Sequence, residues 1–184
     1  MIIGLTGSFC SGKDTVAEYL QKEKNFIHHS LSDVIRDDIR RRGKAVTRDN
    51  LVKTGIALRT KYGYAVLAER VLRKLKKGKN FVVTSIRHSD EVKALRKNGD
   101  FRFIFVDAPA KIRFMRMLAR KRENDPGTYK EFLALERKES QTKGAGQQLG
   151  LCKKMADLKL NNSTSNLRKL HATVDKLINR LKDH

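Results

Sequence analysis

Short apolar runs alternate along the chain with longer segments whose apolar residues recur every three or four positions. Residues 1–6, MIIGLT, read as a short strand that meets glycine. Between about residues 13 and 24, Val16, Ala17 and Leu20 fall on one side of a helix. Residues 26–29 read as a second short strand. A helix capped by Ser32 or Asp33 then runs to Gly43, with acids early and arginines late, as the helix dipole prefers. The spacing predicts helices over 47–60 and 64–77 and a buried strand in FVVTSI, residues 81–86. Ser89, Asp90 and Glu91 open a short helix that Gly99 closes, and FRFIFVDAP is a strand stopped by Pro109.

A long basic helix should follow, broken at residues 123–127 by ENDPG, with helical periodicity resuming over 129–140. Residues 141–150, QTKGAGQQLG, read as a loop, and ADLKLNNS, 156–163, as a last strand. Leu167, Leu170, Val174, Leu177, Ile178 and Leu181 form the stripe of a final helix. There is no internal repeat. Alternating strands and helices predict an α/β fold in three layers, with a central parallel sheet of about five strands. A length of 184 residues fits one domain, 1–184, large enough to bury a core.

Charge changes the picture. The chain has 41 Lys and Arg against 20 Asp and Glu, a formal net charge of +21. Self-repulsion at that excess opposes compaction and attracts polyanions, either nucleotide phosphates or nucleic acid. The basic residues are spread over most helices and accompany no RNP motif, C2H2 spacing or bZIP heptad, so charge alone does not favour nucleic acid. Cys10 and Cys152 lie far apart, without CxxC or paired histidines, so neither a disulfide framework nor a zinc site is suggested. The opening MIIGLTG lacks a basic stretch and signal-length apolar segment, and no run approaches the ~20 apolar residues a membrane span needs. A soluble cytoplasmic protein with reduced thiols is expected; oligomeric state is left open.

The sharpest chemical signal is Gly7-Ser8-Phe9-Cys10-Ser11-Gly12-Lys13-Asp14-Thr15, directly after a strand and opening a helix. This is the GxxxxGK phosphate loop, in the context such a loop requires. Its glycines let backbone amides turn inward, the helix start adds positive potential, and Lys13 brings a charge to terminal phosphates. Asp14 stands where a Mg²⁺-binding hydroxyl is expected. It could coordinate directly, act through water, or leave the role to Thr15. Cys10 is expected to be a small spacer, although nearby positive charge could make its thiol reactive.

Phosphoryl transfer needs cations that gather two anionic substrates and neutralise the transferring group. Candidates are Arg36, Arg59, Arg87, and the set Arg116, Arg120 and Arg122 ahead of the ENDPG break. Arg87 follows a strand at the edge where open α/β sheets bind ligands. Arg116 and Arg120 share a helix face leading into a segment, about 113–135, that could close as a lid. Asp33 could orient or deprotonate the acceptor, or cap a helix; Asp107 could serve Mg²⁺, or act as a strand-end turn residue.

These residues resemble the P-loop nucleoside and nucleotide kinases, over nearly the whole chain. IIGLTGSFCSGKDTVAEYL looks like the opening of dephospho-CoA kinases and monophosphate kinases. SDVIRDDIRRRG is similar to their substrate-side helix, in which an Asp and an Arg meet the acceptor. FVVTSIRHSDEVKALR, FIFVDAPAKIRFMRM and REND with EFLALERKES look like an archaeal nucleotide-kinase-like family, and like the kinase-like domain fused ahead of fungal deoxycytidylate deaminases. LNNSTSNLRKL is similar to the segment of dephospho-CoA kinases near the nucleotide base, which brings in Asn161 and Asn162.

The resemblance implies ATP as phosphoryl donor, Mg²⁺, and a small nucleotide acceptor. Lys13 and the loop would hold the donor, Asp33, Arg36, Arg59 and Arg87 the acceptor, and Arg116 and Arg120 the transferring group. Thr84-Ser85 depart from the acidic residue that relatives carry after the third strand, and no deaminase zinc motif follows. The expected function is transfer of the ATP γ-phosphoryl to a nucleoside or deoxynucleoside monophosphate. Dephospho-CoA kinase, a non-catalytic nucleotide sensor and a nucleic-acid-binding ATPase are the alternatives.

Overall fold

The computed structural model describes residues 1–120, 125–140, 144–164 and 166–182. In chain order the elements are β1 (Ile2–Gly7), α1 (Lys13–Glu23), β2 (Ile27–Ser30), α2 (Leu31–Arg41), α3 (Arg48–Tyr62), α4 (Val66–Leu72) and β3 (Phe81–Thr84). Then come α5 (Ser89–Arg96), β4 (Phe101–Asp107), α6 (Ala110–Ala119), α7 (Tyr129–Ser140), α8 (Leu149–Met155), β5 (Leu158–Asn161) and α9 (Leu167–Lys182). The strands form one parallel sheet of five in the order β2-β3-β1-β4-β5.

Helices cover both faces, which is why β3 and β4 read as continuous apolar runs and not as alternating patterns. On one face Ile3, Leu5, Val82, Ile104 and Val106 pack against Val16, Ala17 and Leu20 of α1 and Leu170, Val174 and Ile178 of α9. On the other, Val83, Phe101 and Phe103 meet α2, α3, α4, α5 and Cys152 of α8. Phe103 and Leu5 are fully buried, and burial of such a side chain contributes about 1.5–3 kcal/mol. Because the strands are parallel, the segments that follow their carboxyl ends all gather at one edge of the sheet, where ligands of open α/β sheets bind.

Several local expectations change. Ser30, not Ser32 or Asp33, caps α2: its Oγ accepts from the Ser32 amide at 3.3 Å, because β2 runs straight into the helix. The third strand stops at Thr84, and Ser85 turns the chain with φ +62°. His88 caps α5 in a reciprocal arrangement with Glu91, a role histidine's sequence context did not advertise. The segment read as a loop up to residue 150 contains the start of α8, held down by Cys152 and Met155 against the core. Its Gly150, with Gly144 and Gly146 shortly before, hides a helix that tertiary burial supplies. Arg122, the first half of the ENDPG break and residues 141–143 of the expected loop lie outside the described residues. Among the described residues, no helix is long and apolar enough to cross a membrane.

Candidate functional site

The phosphate loop occupies the turn from β1 to α1. Cys10 (φ +58°) and Gly12 (φ +89°) are left-handed, the amide of Ser11 donates to the Ser8 carbonyl at 3.1 Å, and that of Val16 closes the first helical turn on Gly12. The amides of Lys13, Asp14 and Thr15 open the helix and so have no intrahelical acceptor. Such an end suits an anion.

Space around the loop is tight. A Cβ on Gly7 would lie 2.0 Å from the Val106 carbonyl oxygen, and one on Gly12 would lie 2.3 Å from Asn162 Nδ2. The Ser11 hydroxyl is buried without a hydrogen-bond partner, a polar group that a ligand could satisfy. Lys13 Nζ stands 3.3 Å from Asp14 Oδ1, whose side chain is 83% exposed. Burial pushes the Cys10 thiol up despite the charges of Arg120, Lys13 and Arg113. This favours the expected small spacer over the alternative of an activated thiol, because desolvation of the thiolate outweighs the positive potential.

Asn162 braces this loop. Its side chain is buried and donates through Nδ2 to the Ser11 carbonyl at 2.9 Å, while its amide donates to Asp107 O at 2.7 Å. Arg116 reaches the same place from α6, donating to the carbonyls of Ser11, Asn162 and Thr164 at 3.3, 3.0 and 2.8 Å. Arg116 was expected on the transferring phosphoryl group; its guanidinium instead joins the phosphate loop to the β5–α9 connection. Asn161 is exposed at the end of β5 beside it.

Arg120, one turn further along, forms a bidentate pair with Asp125 at 2.8 Å. Its guanidinium lies 4.6 Å from the centre of the Phe9 ring, and that of Arg48, at the start of α3, lies 4.7 Å from the same ring. Phe9 thus places cations from two separate helices over the phosphate loop. Arg113 is buried and donates to Ala108 O, Phe9 O and both carboxylate oxygens of Glu136 on α7. Phe132 of α7 is fully buried and packs on Phe9 and Phe114.

Asp107 was a candidate metal ligand. Its Oδ1 accepts from Ser8 Oγ at 2.7 Å and the Ala108 amide at 3.0 Å, and its Oδ2 accepts from Lys153 at 3.0 Å. Burial works against its charge, but the bonds from Ser8 and Lys153 prevail and hold the carboxyl below its ordinary value. Both oxygens are therefore occupied by protein donors. Asp14 and Thr15 keep hard oxygen donors at the start of α1. Among the described residues no cluster of three or more His, Cys, Asp or Glu could hold a metal; the hard oxygens of Asp14 and Thr15 are of the kind Mg²⁺ takes, one or two protein groups being completed by phosphates and water.

Beside the loop lies a cavity of about 500 Å³ whose wall includes Ser8, Phe9, Arg87, Arg113, Arg137 and Lys153. Arg87 enters it from the end of β3, with Nη1 donating to Gln147 at 2.6 Å. Asp33 and Arg36 pair with each other at 2.7 Å on the first turn of α2, both partly exposed. Arg59 does not join them. It is 4% exposed, and its Nε and Nη2 both donate to Glu91 Oε1. The expected acceptor ligand is a buried strut.

Where an acidic residue was missing, the structure puts a polar cluster: His28 Nε2 lies 2.9 Å from Thr84 Oγ1, and Ser30 Oγ donates to Ser85 Oγ at 3.0 Å. The residues that sequence reasoning passed over are His28, Arg48, Arg113, Arg137 and Lys153. A basic run at helical spacing was visible around Arg113, but the buried side of α6 was decided by packing.

The AAA domain family model matches residues 3–143. A UPF0200 protein of Pyrobaculum aerophilum is 30% identical, over 98% of this chain and 97% of that protein. One of Thermococcus kodakarensis is 33% identical over 98% of each. Among solved structures, the shikimate kinase of Acinetobacter baumannii in complex with shikimate has a TM-score of 0.61 at 15% identity, covering 97% of this chain and 93% of that one. The shikimate kinase of Bacteroides thetaiotaomicron also has a TM-score of 0.61, at 14% identity over 99% and 98% of the two chains. At that identity the likeness concerns the fold, a P-loop kinase-like one with the same layered sheet. Matched across three quarters of its length by the domain model and nearly end to end by these relatives, the chain belongs to the UPF0200 family.

Proposed function

We propose that this chain is an ATP-dependent phosphotransferase whose acceptor is a nucleoside or deoxynucleoside monophosphate. The observation that carries the reading is a cavity beside the phosphate loop on whose wall Arg87, Arg113, Arg137 and Lys153 outnumber Asp107 and Glu136, next to Ser8 and Phe9. A protein that only held a nucleotide would need the loop alone; a transferase must also gather an anionic acceptor.

In this reading the amides at the start of α1, with Lys13, hold the donor's phosphates. Arg87 holds the acceptor's phosphate from the cavity wall and Arg36 from α2, outside that wall, and Asp33, tethered by Arg36, orients the acceptor oxygen. Arg120, set by Asp125 and Phe9, supplies charge near the transferring group, while Arg116 and Asn162 support the nucleotide side of the loop from behind. Asp14 and Thr15 are the groups that would hold Mg²⁺, which when bound neutralises charge on phosphate oxygens. About residues 113–135 are read as a lid, in whose described parts the Arg113–Glu136 pair and buried Phe132 join α6 to α7. The domain is taken as spanning 1–184.

A second reading, a nucleotide-binding module without turnover, draws on the Thr84–Ser85 cluster and on Asp107, whose oxygens are engaged by Ser8 and Lys153. One experiment separates the readings: a transfer assay with ATP and Mg²⁺ against every ribo- and deoxyribonucleoside monophosphate and dephospho-CoA, with Lys13→Met alongside. Transfer to a monophosphate that is lost in folded Lys13→Met supports the proposal. Transfer only to dephospho-CoA replaces the acceptor, and ATP binding with no transfer at all selects the second reading. A folded Lys13→Met protein with full activity overturns the site.

A further inference from the structure

On the face of the sheet covered by α2 and α4, a groove of about 530 Å³ runs between these helices. Arg41 from the end of α2, Arg70 from α4, and Arg73 and Lys74 just beyond α4 line it, with Asp37 and Val34. The acids on this side of α2 are already answered: Asp37 faces Arg40 at 3.7 Å, and Asp38 faces Arg41 and Arg42 at 3.4 and 2.7 Å. Arg70, Arg73 and Lys74 remain, with Glu69 of α4 the acid beside them, so the groove keeps a net positive charge. The exposed Lys76, Lys77 and Lys79 extend the strip toward β3, and Lys74 lies near enough to His29 on edge strand β2 to disfavour its protonation.

Two features distinguish this from a merely solvated surface. Tyr62, at the end of α3, is 51% exposed, and the charges of Arg70 and Lys61 lie 5.2 and 5.1 Å from its ring centre. Both cations sit over the ring, so a base would stack on Tyr62 by displacing the Lys61 ammonium, which then serves a phosphate beside the basic groove. Arg70 and Arg73 are also one helical turn apart, about 5 Å along the axis, the order of the spacing between successive phosphates on a strand. The groove lies apart from the phosphate loop, since the chain after α4 returns to the amino end of β3 whereas the loop sits at the carboxyl edge.

We propose that the α2–α4 groove binds single-stranded nucleic acid, with Arg70, Arg73 and Lys74 on its phosphates and Tyr62 stacked on a base. This site is separate from the phosphotransferase reading, and neither depends on the other.

The test is fluorescence anisotropy on the full chain, with labelled oligo(U) and oligo(dT) of about twelve nucleotides across a salt series. Three neutralised phosphates predict a log–log salt slope of about −2 for a single strand. Arg73→Glu with Lys74→Glu should weaken binding at least about tenfold, and Tyr62→Ala should weaken it about fivefold or more while leaving the slope unchanged. Lys13→Met should bind the oligonucleotide as the unaltered chain does. The control is Lys176→Glu with Arg180→Glu on α9, the same charge change on exposed residues of the opposite face; thermal melting verifies folding of each variant. Equal weakening by both pairs would reveal diffuse attraction to a +21 chain and overturn the groove. Absence of binding at low salt, or tighter binding of a duplex that Tyr62→Ala does not affect, overturns it as well.

Discussion

Arg59 and Glu91 meet inside the protein: Nε and Nη2 of the arginine donate to Glu91 Oε1 at 3.0 and 2.7 Å, with the two side chains 4% and 0% exposed. The other carboxylate oxygen accepts from the amides of Arg87 and His88 at 2.8 and 3.0 Å. One buried carboxylate therefore joins α3 to the turn that presents Arg87. Removing it leaves the arginine's charge buried and unpaired, so Glu91→Ala should cost about 3–5 kcal/mol in urea denaturation. Arg59→Met should be destabilising too, and the pair of changes together should cost less than their sum. A rise in acceptor KM with unchanged stability in Arg59→Met would return this residue to the acceptor site.

Gly12 and Asn162 are in contact across the sequence, and this makes their substitutions interdependent. Gly12→Ala adds a methyl 2.3 Å from Asn162 Nδ2 at a φ of +89°, and should lower ATP affinity at least about tenfold while the fold survives. Asn162→Ala alone removes the bond to Ser11 O and should cost about 1–2 kcal/mol of stability. The double variant should recover part of the ATP affinity, because the clash is relieved while the backbone strain persists. Calorimetric titration of all three measures it; no recovery would mean that strain alone governs the loop.

Phe9 is the shared platform of Arg48 and Arg120. Phe9→Leu retains the apolar contact with Phe132 but removes the ring face, a loss of about 1 kcal/mol per cation. It should lower kcat/KM several-fold, and Phe9→Tyr should be close to neutral. A leucine variant with unaltered kinetics would remove both arginines from the phosphate-loop chemistry.

Stability should fall as the solution is acidified below the ordinary histidine range. Burial holds the imidazoles of His28 and His29 below their usual value of 6.5, His29 with help from Lys74. The unfolded chain then binds more protons than the folded one as pH drops through 6.5, so the folded state is favoured above that pH and loses ground beneath it. Melting temperatures from pH 7.5 to 5.5 should show the decline, and His28→Gln should flatten it. A variant with the same slope would assign the protons elsewhere.

Periodicity and the GxxxxGK spacing located the central strands, α1, α7, α9 and the phosphate loop from the sequence, because those features are local. A buried parallel strand needs a continuous apolar run, a surface helix needs a stripe, and a phosphate-wrapping turn needs glycines at fixed places. α8 stayed hidden because its short, glycine-bearing segment has little helical signal of its own; it is helical where Cys152 is drawn into the core.

The arginines divide along the same line. Their positions were legible and their partners were not, since a guanidinium's role depends on what stands within about 3 Å of it. Arg59 became a strut because Glu91 lies beneath it, and Arg116 a brace because three carbonyls converge on it. Sequence alone determined the sheet-and-helix order and the phosphate-binding turn, which follow from local pattern. Tertiary packing decided which charges face the cavity and which are engaged within the protein, because Arg59 and Glu91, or Ser11 and Asn162, meet only when the sheet brings their distant segments together.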